Sequence, residues 1–294
     1  MTSHSADGVP PTIRPEPVDA GPSARELSEQ LWARVRAATP SRVGLGRRGD
    51  SLPVSALLDL REAHAIARDA IHLPLDVEEL CAEIGETPAL AALGAPVRVQ
   101  SRAVDRSTYL RRPDLGRRLD PGCRVDPVGP AGSGQDAELP TLAIVIADGL
   151  STAAVAAHGV PMADALVAEL NSEFRIAPLV VASQARVAIG DEVGAQQGVD
   201  EVIVLIGERP GLSVSDSLGG YLTHRPRLGR RDSERNCVSN IRPGGLSFRV
   251  AAATLARLAR GAMELGGSGV RLKDTGGRIE TVSPQQIGPR SGQV

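Results

Sequence analysis

Three short apolar runs, each broken by a loop that cannot continue a strand, constrain this chain more than any other feature. They are LAIVIADGL (142–150), VIVLIGERPGL (202–212) and NCVSNIRP (236–243). Valine and isoleucine crowd the runs. The breaks are Asp-Gly, Gly-Glu-Arg-Pro-Gly and a polar Asn/Ser stretch. Near-continuous apolar strands suit a parallel sheet covered on both faces. Ligands of such sheets sit outside the carboxyl ends of the strands. The loops, more than the runs, are therefore where function is to be sought.

The rest of the chain supplies helices for such a sheet. Ser23 opens a helix over 23–38, with Glu26 three residues on as in a capping box. Leu27, Leu31, Val35 and Ala38 follow, with Trp32 beside them. This helix either packs on the body or serves as a docking peptide for a larger assembly. A second helix spans Ser55–Ile71, with Leu57, Leu60, His64, Ala67 and Ile71 on one stripe. His64 there reads as a core or interface histidine before a ligand. A weaker helix covers 76–93, a short strand 97–103, and an arginine-dense segment 105–119.

The Pro/Gly-rich stretch 120–140 reads as the main boundary. After it come a strand at 142–147, a helix broken near Gly159-Val160-Pro161, and a strand at 179–183. A helix over 190–197, a strand at 202–206 and a helical segment over 214–222 follow. A strand at 237–241 and a helix over 249–265 close the series. The expected organisation is a disordered tail (1–22), a helical N-terminal region (23–119), the connection (120–140) and an α/β domain (141–294). The expected fold class is α/β, a parallel, Rossmann-like sheet flanked by helices.

Composition excludes several functions. Aromatics are only 2% of the chain, so the core is built from Ala, Val, Leu and Ile. A net charge of −2 provides no basic field for nucleic acid. Cys81, Cys123 and Cys237 lack CxxC spacing, which fits free thiols in a reducing cytosol and no zinc site. No secretory signal and no apolar stretch near the ~20 residues of a membrane span are apparent, so a cytoplasmic protein is expected.

Most catalytic signatures fail. Gly44-Leu45-Gly46-Arg47-Arg48-Gly49 has the letters of GxGxxG but no preceding strand, and Pro53 follows closely. It reads as a flexible loop whose arginines meet a partner. Walker, GxSxG and HExxH patterns are absent, and the five histidines have no ligand spacing. What remains is a set of loops. Asp148 is either a turn residue or a polar group aimed at a ligand. Glu208 and Arg209 either solvate a strand end or hydrogen-bond to a large polar ligand rim. Cys237 either packs or lets a flat ligand approach closely. Residues 106–118 and 42–50 are either a contact surface for a partner or a solvated charged face.

At these residues the chain resembles the small (light) subunit of ethanolamine ammonia-lyase. The likeness covers about 41–274. It runs through RVGLGRRGDSLP (42–53), LLDLREAHAIARDAIH (57–72), YLRRPDLGRRL (109–119) and IVIADGLST (144–152). It continues through RVAIGDEVG (186–194), VLIGERPGL (204–212), DSLGGYLT (216–223) and RNCVSNIRPGGL (235–246). Several long motifs in one order are far more specific than any single one.

The resemblance implies adenosylcobalamin as cofactor and a large (β/α)₈-barrel subunit as partner in a hetero-oligomer. The barrel binds ethanolamine. Homolysis of the cobalt–carbon bond initiates radical chemistry that yields acetaldehyde and ammonia. The small subunit closes over the cobalamin. Carried over residue by residue, its contacts fall on Val187, Glu208 and Cys237, with no catalytic residue and no metal ligand of its own. The cobalamin motif DxHxxG is absent, so a bound corrinoid keeps its own base or takes a ligand from elsewhere. The first 40 residues match loosely. Some members use that region to enter a bacterial microcompartment, and the helix at 23–38 is compatible with that role. The contrasting expectation is a cobalamin delivery or assembly module that takes no part in turnover. No nucleic acid or membrane partner is implied.

Overall fold

The computed structural model describes residues 22–39, 41–129, 139–274 and 276. The tail expected over 1–22, apart from Pro22, lies outside them, as do residues 130–138 of the Pro/Gly-rich segment and the stretch after 276. The described residues fall into two compact units, one up to Pro53 and one from Val54.

In the first unit, helix α1 (Ala24–Ala37) begins where the capping box places it. Ser23 Oγ accepts the Glu26 N–H at 3.3 Å, and Glu26 Oε2 accepts the Ser23 N–H at 2.7 Å. Leu27, Leu31 and Val35 remain exposed. The loop with the GxGxxG letters has no strand before it among the described residues. Gly44, Gly46 and Gly49 have φ of +58°, +76° and +63°, so they serve left-handed turns. Gly44 also lies against the Trp32 indole, where a Cβ would come within 2.3 Å of Cε3.

The second unit is built on seven strands. They are β1 (Val97–Gln100), β2 (Thr141–Ala147), β3 (Arg175–Ile176), β4 (Val180–Ser183), β5 (Glu201–Gly207), β6 (Leu218–His224) and β7 (Asn236–Ile241). Their order is β1-β4-β2-β5-β6-β7, with β3 beside β2. β1, β4, β2 and β5 pair in parallel. β6 is antiparallel to β5, and β7 to β6.

The sheet is thus mixed, where a parallel one was expected, and residues 214–222 explain the difference. The expected helix there is instead strand β6. Two adjacent glycines weaken a helix by about 1 kcal/mol each. In the strand they relieve crowding: a Cβ on Gly220 would meet Leu255 Cδ1 at 2.7 Å. Without a crossover helix, β6 and β7 can return only antiparallel.

Helices cover the two faces unequally. The first face carries Leu142, Ile144, Ile146, Ile203 and Leu205. It packs against α3 (Val77–Glu86), α4 (Pro88–Ala91), α7 (Thr152–Leu170) and α9 (Phe248–Leu265). The opposite face carries Val145, Ala147, Val202, Val204 and Ile206, covered by α8 (Ile189–Gln197). α7 runs unbroken through Pro161 rather than being interrupted there. Pro161 and Ala157 are both exposed, so the carbonyl that loses its helical donor can bond water. α7 is long and apolar enough to cross a bilayer by composition, although no such stretch was expected, but it is mostly buried as a core helix.

Helix α2 (Val54–His72) buries Ala56, Ala63, Ala67 and Ala70. Of the expected stripe, Leu57 and His64 are exposed, Leu60 and Ile71 are half-buried, and Ala67 is buried. Small side chains let this helix lie close to its neighbours, so alanine, and not leucine, marks the inner face.

Candidate functional site

A cleft of about 660 Å³ opens at the carboxyl ends of β2, β4 and β5, on the face that α8 covers. The connection after β2 runs into α7 on one face, and that after β4 into α8 on the other. Diverging connections leave a crevice at the strand ends, the usual place for a ligand in an α/β sheet. Beyond β5 no helix among the described residues covers this face of β6 and β7, so Tyr221 and Cys237 form part of the cleft lining.

The floor depends on close backbone contact. Gly149 has φ +58°, and a Cβ there would lie 2.2 Å from Gly207 O. A Cβ on Gly207 would lie 2.0 Å from Ser151 O. The Leu150 N–H donates to Gly207 O at 2.9 Å across this junction. Gly207→Ala is expected to lower stability by roughly 1–3 kcal/mol, since backbone on both sides must shift. Urea unfolding checks this, and an unchanged midpoint would show that the junction is loose.

Asp148 resolves as a structural staple. It accepts N–H bonds from Gln184 at 2.8 Å, Ala185 at 2.8 Å and Gly149 at 2.9 Å. These bonds hold the loop after β4 to the end of β2. Burial pushes its pKa up, and the three N–H groups and Arg106 oppose that. Arg106 donates to Gly149 O at 2.8 Å and to Ile71 O at 2.6 Å. The ring of Tyr109 is fully buried, with Arg106 and Arg186 guanidinium carbons 4.7 and 4.3 Å from its centroid. The arginine-dense segment, which forms α5 (Arg106–Arg111) and α6 (Pro113–Gly116), is therefore partly interior, at Arg106 and Tyr109. Its outer members make ion pairs: Arg112 with Asp114, Arg117 with Asp232 and Arg118 with Glu192.

Val187, Glu208 and Cys237 all line this one cleft, although they lie on three separate motifs. Val187 stands in the turn that enters α8. Glu208 follows β5, and its Oε2 accepts from Ser217 Oγ at 2.6 Å and from the Asn240 N–H at 3.2 Å. That oxygen ties together the loops around β5, β6 and β7. Oε1 has no hydrogen-bond partner among the described residues. Cys237 is paired across the strands with Tyr221. Burial raises the pKa of both groups. The thiol is therefore protonated at neutral pH and is no thiolate nucleophile.

Among the lining residues that sequence reasoning missed are Arg186, Tyr221 and Arg235. Arg235 is buried and grips Asp191 of α8 with two bonds, Nη1–Oδ1 at 2.6 Å and Nη2–Oδ2 at 2.7 Å. It also donates to Thr223 Oγ1 at 2.9 Å. Recognising 218–224 as a strand would have placed Tyr221 beside Cys237. No comparable local signal announces the Arg235–Asp191 pair, because its members lie 44 positions apart.

Fold and cleft together define an α/β protein with an open crevice at its strand ends. The family model for the ethanolamine ammonia-lyase light chain (EutC) matches residues 29–273. A protein from Rhodococcus erythropolis named ethanolamine ammonia-lyase small subunit is 47% identical over 258 residues, spanning 87% of this chain and 95% of that protein. One of the same name from Bradyrhizobium diazoefficiens is 50% identical over 244 residues, 82% of this chain and 89% of the relative. A third, from Azotobacter vinelandii, is 46% identical over 251 residues, 84% and 89% of the two chains. The chain belongs to the ethanolamine ammonia-lyase light chain family and is a lyase subunit.

Proposed function

We propose that this chain is the small subunit of an adenosylcobalamin-dependent ethanolamine ammonia-lyase and that its cleft forms one wall of the cofactor site. The observation that carries this reading is the convergence of Val187, Glu208 and Cys237 on a single cleft in a member of this family. The cleft residues fit a corrinoid. Leu150, Val187, Ala188 and Tyr221 supply apolar surface for a broad, flat ring. Glu208 Oε1 is an unused acceptor suited to a ring-edge amide N–H. No histidine lines the cleft among the described residues, so this wall offers no imidazole to cobalt. When bound, the cofactor supplies radical chemistry through its cobalt–carbon bond.

The chain's own part is positional. Glu208 fixes the loop edges through Oε2 while offering Oε1 to the ligand. The neutral Tyr221–Cys237 pair presents a flat surface that adds no charge. The cleft is open on one side, which suits a site completed by a second subunit. The partner in this reading is the barrel-shaped large subunit of a hetero-oligomer, which holds ethanolamine.

The test is acetaldehyde release from ethanolamine by the large subunit with adenosylcobalamin, with and without this chain. Turnover that appears only at matching stoichiometry is the expected result. Equal turnover without the chain would leave it a delivery or assembly role. Glu208→Gln is expected to weaken cobalamin binding to the complex about tenfold, the size of one charge-assisted hydrogen bond. The amide retains an acceptor for Ser217 and Asn240, so the melting temperature should move little. Equal cobalamin affinity in both proteins would remove Glu208 from the ligand contact.

A further inference from the structure

The cleft wall carries more positive charge than its carboxylates answer. Arg117 is paired with Asp232 at 3.2 Å, and Arg235 is committed to Asp191. Arg186 and Arg209 also line the cleft, and neither forms an ion pair among the described residues. Arg186 is the better placed of the two. Its guanidinium carbon lies 4.3 Å from the Tyr109 ring centroid. Its backbone N–H is held by Gly116 O at 2.8 Å. Its one side-chain hydrogen bond among the described residues is long, Nη2 to Tyr109 O at 3.4 Å, and Nε is shielded from solvent with no partner among them. Nη1 has no hydrogen-bond partner among the described residues and is not enclosed like Nε, so it can meet an acceptor supplied from outside the chain.

The surroundings reinforce that sign. α8 begins directly beyond, at Ile189, with no side-chain cap. Val187 and Ala188 at its start both line the cleft. A helix N-terminus favours negative charge within its first turn. The two acidic groups of that turn are already engaged, Asp191 by Arg235 and Glu192 by Arg118.

We propose that Arg186, held over the Tyr109 ring at the entrance to α8, is an anion-binding residue that takes the phosphodiester of the cobalamin nucleotide tail. The inference rests on the proposed cobalamin site and deepens it. The corrin ring edge offers only neutral amides, whereas the nucleotide tail carries a phosphate anion. A planar guanidinium matches two phosphate oxygens at once, and stacking removes the freedom it would otherwise lose on binding. Arg209, exposed on the same wall, adds charge without fixed geometry.

The experiment compares three probes on the assembled complex of this chain with the large subunit: cyanocobalamin, cobinamide phosphate and cobinamide, which lacks the phosphate. Binding is read by equilibrium dialysis with corrin absorbance, without turnover. Wild type is expected to hold cobinamide phosphate roughly tenfold more tightly than cobinamide, the range of a charge-assisted contact. Arg186→Gln is expected to abolish that preference and leave cobinamide affinity within about twofold. Arg186→Lys, which keeps the charge without the fork, should retain part of it. Equal affinity of wild type for the two cobinamides overturns the inference, as does an unchanged preference in Arg186→Gln. A uniform loss for every probe would assign Arg186 to cleft shape and overturn it as well. Wild type that binds no corrinoid would overturn the proposed function itself, and this inference with it.

Discussion

Replacing Arg235 with alanine is expected to lower the stability of this chain by about 3–5 kcal/mol, because it strands the buried carboxylate of Asp191. Both side chains are almost wholly shielded, at 3% and 4% exposure, so solvent screening does little to soften the loss. The guanidinium also serves Thr223 Oγ1 and the Arg230 carbonyl, at 2.9 and 3.1 Å. Its removal therefore leaves several polar groups unanswered. Asp191→Ala should be comparably damaging, since it leaves the cation alone.

The pair is expected to behave differently when both charges go. Arg235→Met with Asp191→Leu should recover most of the loss, as burying two charges gives little net stability over well-packed apolar side chains. Urea unfolding of the four proteins, extrapolated linearly, reads the coupling. A loss below about 1 kcal/mol in the single variants would place the pair among ordinary surface ion pairs and overturn this account. The cleft should suffer too. Arg235 joins the strand that carries Cys237 to the helix entered through Val187. The double variant would thus separate stability from the shape of the ligand wall.

The sequence was most legible where one local rule acts alone. The capping box at Ser23 and Glu26, the apolar runs of β2 and β5, and the helix over 249–265 all reappear within a residue or two. Residues 214–222 were misread because Leu218, Tyr221 and Leu222 also fit a helical spacing. The Gly219-Gly220 pair was the signal against it. The buried face of α2 was misread for another reason. Hydropathy favours leucine, while close helix packing selected Ala56, Ala63, Ala67 and Ala70. Arg106 looked like surface charge because composition cannot reveal that Tyr109 and Gly149 O enclose it. The three carried-over positions, Val187, Glu208 and Cys237, lie on a common cleft only through sheet order, which no local pattern states.

Stability is also expected to fall as pH rises from 7 to 9, and Glu201→Gln should flatten most of that slope. Glu201 begins β5 fully buried, with Oε1 3.1 Å from His224 Nδ1. Burial, reinforced by the neighbouring Asp200 charge, pushes its pKa up to about 9. Burial lowers that of His224, with Arg225 and Arg230 acting in the same sense. The folded pair therefore holds one acidic proton at neutral pH, as Glu201 carboxyl hydrogen-bonded to neutral imidazole. Oε2 and His224 Nε2 have no partner among the described residues, so none of these stabilises a lone carboxylate there.

In the unfolded chain Glu201 ionises near its ordinary value of 4.5. Between that value and about 9 the folded state binds the extra proton, so unfolding becomes easier as pH rises. Below 6.5 the lowered pKa of His224 works the other way, because the unfolded state then binds the proton, and the two effects offset. Above 6.5 only the glutamic acid remains, with a limiting slope of about 1.4 kcal/mol per pH unit. The loss from pH 7 to 9 is then about 2–3 kcal/mol. Glu201→Gln keeps the size and a hydrogen bond to the imidazole but cannot ionise. Urea midpoints for both proteins at pH 7, 8 and 9 give the comparison. Since the thiols and other titrating groups are common to both, the difference between the two curves isolates Glu201. Parallel curves would mean that Glu201 is already ionised in the fold, paired with a protonated His224 whose charge loss sets the slope instead.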